Sequence, residues 1–314
     1  ESLSGRKYSH EEEAREFRRA LLGGTVLEGL AVEKYEEAAR GADVVAAGFD
    51  RWILGLGARG WAVAVDSIAN IFDPRYYEKL PAISLEEARE KVLRVAEKLR
   101  DLIKEATSGY DLASERSEAI KLAYALLYAL YEPLCYLEGL PPSLADTRVP
   151  THTVFDHLYA TASMVNLTWY PQPGVPLRGF LVVVDIPGIH EFVDAARKAG
   201  DYWAGSWLIS NAMWRFLEKL FDEFGPDVLL SPTNRMNPYF YFRYLRRLLE
   251  RAPGGGAAGK VKEEVTRLLE DFLKRVSGGD VPAETWLRQP LIPGTVLLVL
   301  PKGIGWTETS EKVS

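Results

Sequence analysis

The sequence predicts an α+β protein whose first half is mainly helical and whose second half carries a partial ferredoxin-like sheet domain. Two observations predict this class. Helical spacing of apolar residues and helix-capping signals dominate up to about residue 131, whereas short apolar segments typical of strands follow only after residue 178. The length of 314 residues and the hydrophobic content of 47% allow a sizeable core and favour two domains, because a domain usually contains roughly 100 to 200 residues.

Helices in the first half are predicted from the spacing of apolar residues and from the residues at helix ends. Residues 9–40 have a helical pattern with acidic residues in its first turn, where they favour the positive end of the helix dipole. Gly23 and Gly24 interrupt this pattern. A second helix is predicted over residues 42–54, whereas residues 61–65 fit either a strand or a buried turn.

Two longer helices follow. Ser84 and Glu87 have the spacing of a capping box, which predicts an amphipathic helix that extends to about Thr107. The next helix is predicted over residues 114–131. We expect it to stop at Pro133, because proline cannot donate the backbone hydrogen bond of a helix interior.

The second half is predicted to alternate strands with helices. The uninterrupted apolar run at residues 180–185 is typical of a strand buried on both faces. Two further strands are predicted at residues 227–231 and 295–300, and residues 253–259 are predicted to form a small-residue loop. The predicted helices are residues 189–199, 202–224, 238–250 and 261–276, the last one charged and packed on the surface. A complete ferredoxin-like unit needs a further helix and strand, so we expect the sheet domain to be partial.

The domain boundary is predicted at a connection rich in proline. Proline and glycine are concentrated in residues 171–177, and such clusters are typical of linkers. We therefore predict a helical domain over residues 1–170 and a sheet domain over residues 178–314, with a helical insertion near residues 250–290.

Composition excludes several functional classes. The formal net charge of −6 argues against a protein whose whole surface attracts nucleic acid, so any polyanion binding is expected to be regional. The single cysteine, Cys135, excludes an internal disulfide framework and a multi-cysteine zinc site. No run of about 18 apolar residues and no export signal occur, so a soluble, cytoplasmic protein with no membrane partner is expected. Asn and Gln together number only seven, which favours a thermophilic source.

The region around residues 146–157 is the sharpest candidate for chemistry. No P-loop, nucleophile elbow or two-histidine zinc helix occurs, but His152 and His157 lie close together beside two acidic residues. On the short helix predicted over residues 153–165, one face would present imidazoles to a metal or a phosphate. The alternative interpretation is structural, with Asp156 and His157 capping the helix and forming hydrogen bonds.

Two other groups of residues are candidates for ligand binding. Asp185 ends an apolar strand and is followed by Lys198, and open α/β sheets hold metals and phosphates at such strand ends. An acidic residue is also an ordinary strand terminus. Arg243, Arg246 and Arg247 alternate with tyrosines in a composition suited to stacking bases and binding phosphates, and they equally fit an amphipathic helix with a solvated basic face.

Two long segments resemble one family of proteins. Residues 144–163 resemble the boundary signature of the large subunit of type III CRISPR effector complexes, particularly the type III-B (Cmr) branch. Residues 180–210, together with Phe224-Gly225-Pro226 and Ser231-Pro232, resemble the first palm domain of that subunit.

The resemblance implies a permuted HD-type helical domain followed by an incomplete first palm domain. In this family the HD domain can be a single-stranded DNA nuclease that depends on a divalent metal such as Mg, Mn or Ni. The palm pair makes cyclic oligoadenylates from ATP once the guide RNA has bound target RNA. The implied partners are the subunit that binds the 5′ tag of the guide RNA, other effector subunits, guide RNA, target RNA, single-stranded DNA and ATP.

The resemblance also implies roles for particular residues. His157 matches the histidine of the family's Asp-His motif, and His10 and Asp43 fall where further metal ligands of the HD domain are expected. Nucleotide contacts are expected at Asp185, Lys198 and Ser206. The family's His-Asp doublet and Gly-Gly-Asp-Asp motif do not occur in these 314 residues. Three hypotheses therefore stand: part of a subunit that takes part in DNA cleavage or cyclic oligoadenylate synthesis, a non-catalytic scaffold, and a degenerate HD-type phosphohydrolase.

Overall fold

The computed structural model describes residues 10–30, 36–51, 67–69, 73, 75–80, 82–145, 152–168 and 179–301. The α-helices are, in chain order, α1 (His10–Leu22), α2 (Glu36–Arg51), α3 (Leu85–Thr107), α4 (Arg116–Leu137), α5 (Val154–Thr168), α6 (Ile189–Asp194), α7 (Ala199–Phe224), α8 (Arg246–Arg251), α9 (Gly256–Ser277) and α10 (Ala283–Trp286). The strands are β1 (Ser67–Ala69), β2 (Tyr77–Lys79), β3 (Gly179–Asp185), β4 (Leu229–Ser231) and β5 (Thr295–Pro301). The predicted class, a mainly helical α+β protein, is confirmed.

The chain folds into two compact units, each assembled from segments that are distant in sequence. The first unit comprises Glu1–Val32, Asp66–Pro141 and Leu245–Gly278, and the second comprises Glu33–Val65, Pro142–Tyr244 and Gly279–Ser314. The predicted linker at residues 171–177 and the open segment at residues 61–65 lie outside the described residues. The division into domains 1–170 and 178–314 therefore stays a prediction.

The first unit is helical around the pair α3 and α4, with α1 packed on α3 and α9 packed on both. The predicted cap of α3 is confirmed, because the Ser84 hydroxyl accepts a hydrogen bond of 3.1 Å from the Glu87 backbone N–H. The fully buried side chains that form this core recur at helical spacing: Leu99, Ile103, Leu122, Leu126, Leu130 and Phe272. The apolar face of α9 is therefore part of a core, and its charged face remains solvated.

Two predicted boundaries in this unit are wrong. The helix α4 continues through Pro133 to Leu137, because Leu134 and Cys135 beyond the proline are buried and the ring of Tyr136 packs against that of Phe272 at a centroid distance of 5.6 Å. Packing of this kind outweighs one missing hydrogen bond. The predicted loop at residues 253–259 is shorter than expected, since α9 begins at Gly256.

In the second unit, the larger sheet is antiparallel with strand order β3-β5-β4. Asp185 pairs with Thr295 and Gly179 with Pro301, so β3 and β5 are matched over seven residues. The prediction that the first strand is buried on both faces is wrong. Among the described strands β3 lies at the edge, and Leu181 and Val183 are 56% and 66% exposed.

In the second unit, helices α2 and α5 pack against each other, and α5 packs against all three strands of the larger sheet. The contact is made by a small apolar cluster in which Val299 of β5 meets Ala42 and Ala46 of α2 and Met164 and Leu167 of α5. The predicted helix at residues 42–54 corresponds to α2, which starts six residues earlier, at Glu36. No helix within the described ranges is both long and apolar enough to cross a membrane.

Candidate functional site

The first turn of α5 is fixed by a capping box. The Asp156 carboxylate oxygen Oδ2 accepts hydrogen bonds from the backbone N–H of Thr153 at 2.7 Å and from its hydroxyl at 2.8 Å. The Asp156 N–H in turn donates to the Thr153 hydroxyl at 3.4 Å. A short antiparallel bridge between Leu144 and Thr153 holds the chain that enters the helix. Asp156 therefore performs the capping role that the structural interpretation of this motif assigns to it.

His157, the next residue, contacts helix α2. Its Nε2 atom lies 2.8 Å from Oδ1 of Asp43, and the hydroxyl of Thr161, one turn further along α5, lies 3.5 Å from the same nitrogen. The His157 side chain is largely buried, whereas that of Asp43 is 61% exposed. Two of the three residues that the family resemblance assigns to a metal site are thus in direct contact, although they are 114 positions apart.

The third residue assigned to the metal site belongs to the other compact unit. His10 is the first residue of α1 in the first unit, and its side chain lies outside the described residues. The described residues contain no group of three or more His, Cys, Asp or Glu side chains placed to hold a metal ion.

These donors do not fit a self-sufficient catalytic metal centre. A catalytic zinc ion takes three protein ligands and magnesium takes six oxygen ligands in all. The described pair supplies one nitrogen and one carboxylate, and these two groups lie at hydrogen-bond distance from each other. The pair as it stands acts as a polar tie between α2 and α5.

Arg235 is a further residue of this region, which sequence reasoning missed. One of its guanidinium nitrogens, Nη1, forms an ion pair with Oδ1 of Asp156. The hydrogen bonds of the capping box use the other carboxylate oxygen, Oδ2. Arg235 lies on the loop between β4 and the π-helix Phe240–Leu245. No local signal could have revealed this pair, because the two residues are 79 positions apart.

The residues predicted to contact a nucleotide lie at the carboxyl end of β3 and on α7. Asp185 is exposed, and its carboxylate accepts a hydrogen bond from the hydroxyl of Thr295, its partner across the sheet. Lys198 occupies the N-cap position of α7 and is exposed. The hydroxyl of Ser206 donates to the Tyr202 carbonyl oxygen at 3.1 Å. Within the part of the chain that the structure describes, Asp185 belongs to no group of three or more His, Cys, Asp or Glu side chains placed to hold a metal ion.

An apolar cavity directly follows Asp185, and sequence reasoning did not find it. Its volume is about 350 Å³, and it lies between the turn after β3 and the middle of α7. Gly188 makes this turn with a positive φ of 74°, a conformation that glycine adopts readily. The residues that line the cavity include Ile186, Ile189, Phe192, Leu208 and Ile209.

The three arginines predicted as a nucleic-acid patch have different environments. Arg243 is half-buried in the second unit, where it donates to the Asn211 side-chain oxygen and, at 2.9 Å, to the Leu287 carbonyl oxygen. Its guanidinium lies 3.9 Å from the ring centroid of Tyr239, and burial lowers its pKa. Arg246 and Arg247 belong to the first unit, and Arg246 is exposed and paired with Glu250 at 2.9 Å. Arg243 therefore has internal partners in the fold.

Comparison with known proteins identifies relatives of this chain. The family model described as "CRISPR-associated protein Cmr2, N-terminal" matches residues 181–313. The CRISPR system CMR subunit Cmr2 of Saccharolobus solfataricus is 33% identical over 183 residues, which cover 57% of this chain and 17% of that protein. The corresponding subunit of Pyrococcus furiosus is 27% identical over 194 residues, which cover 54% of this chain and 21% of that protein.

Solved structures show the same fold over a longer part of the chain. A chain of the type III-B Cmr-beta complex in its apo state matches with a TM-score of 0.58 and 24% identity. The match covers 87% of the present chain and 27% of the Cmr-beta chain. A chain of Cmr-beta bound to cognate target RNA matches with a TM-score of 0.59 and 25% identity over the same shares. The present chain thus spans about a fifth of the length of the curated relatives that it matches.

Proposed function

We propose a function on the premise that this chain corresponds to the N-terminal portion of the large subunit of a type III-B (Cmr) CRISPR effector complex. The resemblance seen in the sequence is confirmed by the family match, the curated relatives and the shared fold. We propose that the chain acts within such an RNA-guided antiviral complex and that its described residues serve assembly and positioning. They do not form a complete catalytic centre.

One observation carries this proposal. The described residues bring together no three side chains able to hold a metal, although they bring His157 and Asp43 into contact. Phosphoryl transfer depends on carboxylates that hold divalent metal against the phosphates, and Asp185 alone does not supply such a clamp. In this proposal DNA cleavage and oligoadenylate synthesis belong to the complete subunit, which also binds the divalent metal and ATP.

The partners proposed for the chain follow from the same premise. They are the subunit that binds the 5′ tag of the guide RNA, the other effector subunits, the guide RNA and the target RNA. The match to a chain of Cmr-beta bound to cognate target RNA supports the RNA partners. For single-stranded DNA and ATP we propose contact through the complete subunit, with Asp185, Lys198 and Ser206 forming one wall of the nucleotide cleft.

A second candidate is participation in metal-dependent cleavage of single-stranded DNA. The observation that favours it is the contact between His157 and Asp43, since both fall at family ligand positions. A degenerate HD-type phosphohydrolase that acts alone is less favoured, because the His-Asp doublet does not occur in these 314 residues.

The two candidates are distinguished by a cleavage assay on the assembled complex. The complex is reconstituted with wild-type large subunit, with His157→Ala, or with His190→Ala, and supplied with Mn²⁺, guide RNA, target RNA and single-stranded DNA. His190 is an exposed histidine on α6 and is the matched control. The assembly proposal expects equal cleavage by all three complexes. Loss of cleavage in His157→Ala alone, with the complex intact, would establish the second candidate instead.

A further inference from the structure

Two consecutive residues of α5 connect this helix to two different elements. Asp156 pairs with Arg235 on the loop after β4, and His157 contacts Asp43 on α2. Successive residues of an α-helix are rotated by about 100° around its axis, so neighbouring side chains naturally reach different partners. The first turn of α5 is thereby linked to the sheet loop on one side and to α2 on the other.

The loop that carries Arg235 is itself held by several hydrogen bonds. The Arg235 N–H donates to the Thr233 hydroxyl at 3.2 Å, and the buried side chain of Asn234 donates to the Pro226 carbonyl oxygen at 2.9 Å. The Asn237 N–H donates a hydrogen bond of 3.2 Å to the Asn234 carbonyl oxygen and so closes the turn, and Met236 has a positive φ of 54°. These hydrogen bonds hold the backbone at Arg235 in one conformation, so less conformational entropy is lost when its guanidinium pairs with Asp156.

The two oxygens of Asp156 have separate roles. Oδ2 accepts both hydrogen bonds of the capping box, and Oδ1 faces Arg235. The side chains of Arg235 and Asp156 are only 19% and 38% exposed, so solvent screens this pair less than it screens the fully exposed pairs of the surface.

The other end of α5 is fixed independently of Arg235. The Thr168 hydroxyl donates to the Ala38 carbonyl oxygen of α2 at 2.9 Å, and Met164 and Leu167 pack in the apolar cluster with Val299. Loss of the Arg235 side chain would therefore remove one restraint from the first turn of α5, which keeps its capping box and the Leu144–Thr153 bridge, while the rest of the helix stays packed.

We propose that Arg235 is a positioning residue for His157. Through Asp156 it fixes the first turn of α5, and this turn sets the contact between His157 and Asp43. The loop after β4 and helix α2 are in this way mechanically coupled. The inference goes beyond the proposed function, because it holds whether the His157–Asp43 pair takes part in metal binding or only ties two helices.

The test is the ¹⁵N spectrum of the imidazoles in the full 314-residue chain, labelled on its four histidines, at one fixed pH. His157→Gln assigns the His157 signals. We expect Arg235→Gln to shift and broaden these signals, Arg235→Lys to restore them in large part, and Arg94→Gln to leave them unchanged. Arg94 is the matched control, since it forms a more exposed ion pair with Glu138 in the first unit.

Amide hydrogen exchange supplies a second readout. We expect the N–H groups of Asp156 and His157 to exchange about fivefold faster in Arg235→Gln, a change equivalent to ~1 kcal/mol. Should Arg235→Gln fail to fold, Asp156→Asn decides the question, because its amide oxygen retains the cap while the charge is lost. Unchanged His157 signals in a folded Arg235→Gln or Asp156→Asn chain would overturn the proposal, and no result of the DNA cleavage assay bears on this outcome.

Discussion

Truncation of Met164 is expected to loosen the contact between α2 and α5 on which the His157–Asp43 pair depends. Met164 is 2% exposed and lies in the cluster that joins α2, α5 and β5. Replacement of a buried Met by Ala usually costs 2–5 kcal/mol, made up of lost transfer free energy and the cavity that remains. This cluster is small and has partly exposed neighbours that can close around the gap, so we expect the low end of the range, ~2 kcal/mol.

The measurement is hydrogen exchange of peptides from α2 and α5, which reports local opening free energies without assuming that the two compact units unfold together. A loss of ~2 kcal/mol corresponds to exchange about thirtyfold faster in both helices. Leu158→Ala is the control, because Leu158 lies on the same helix and is 40% exposed. Equal exchange in Met164→Ala and Leu158→Ala would refute the role of the cluster in holding the two helices together.

Two further predictions concern single positions. Gly109→Ala is expected to lower the free energy of unfolding by ~1–3 kcal/mol in urea denaturation, because the new Cβ would lie 2.2 Å from the backbone carbonyl oxygen of Pro253. Gly200→Ala, which meets nothing within 4 Å, should be neutral or stabilising, and equal urea midpoints would contradict this reasoning. Burial, with smaller contributions from the acidic side chains of Glu132 and Glu138, raises the pKa of the Cys135 thiol to about 12. The buried, protonated thiol favours the folded state fully at pH values below the ordinary thiol pKa of ~8.5, and this stabilisation is lost as the pH rises towards the pKa of the folded state. The urea midpoint should therefore fall over that pH range in the wild type and fall less in Cys135→Ala.

The sequence predicts well those features that local physics determines. Ser84 and Glu87 have the spacing of a capping box, and in the structure the Ser84 hydroxyl caps α3 by accepting a hydrogen bond from the Glu87 N–H. The apolar run at residues 295–300 becomes β5, the strand that pairs with both neighbours in its sheet. Hydrophobic spacing also predicts that α7 and α9 exist, because each helix buries one periodic face, although α9 begins five residues earlier than predicted.

The features that the sequence does not predict depend on contacts between distant segments. Pro133 is tolerated inside α4 because the turn after it is packed, and no local rule contains that packing. An apolar run also cannot distinguish a central strand from an edge strand, so the exposure of Leu181 and Val183 was unexpected. At the candidate site, family resemblance identified His157 and Asp43, whereas Arg235 became visible only through its contact with Asp156.

The most direct test of the central claim is a calorimetric titration of the 314-residue chain with Mn²⁺, compared with His157→Ala. In the described part of the chain, the His157–Asp43 pair is a polar contact between two helices and not a metal centre, so any Mn²⁺ binding by the wild-type chain should be reproduced by His157→Ala with the same stoichiometry and affinity. A single saturable site in the wild type that His157→Ala abolishes would contradict the account and would assign metal binding to the His157–Asp43 pair.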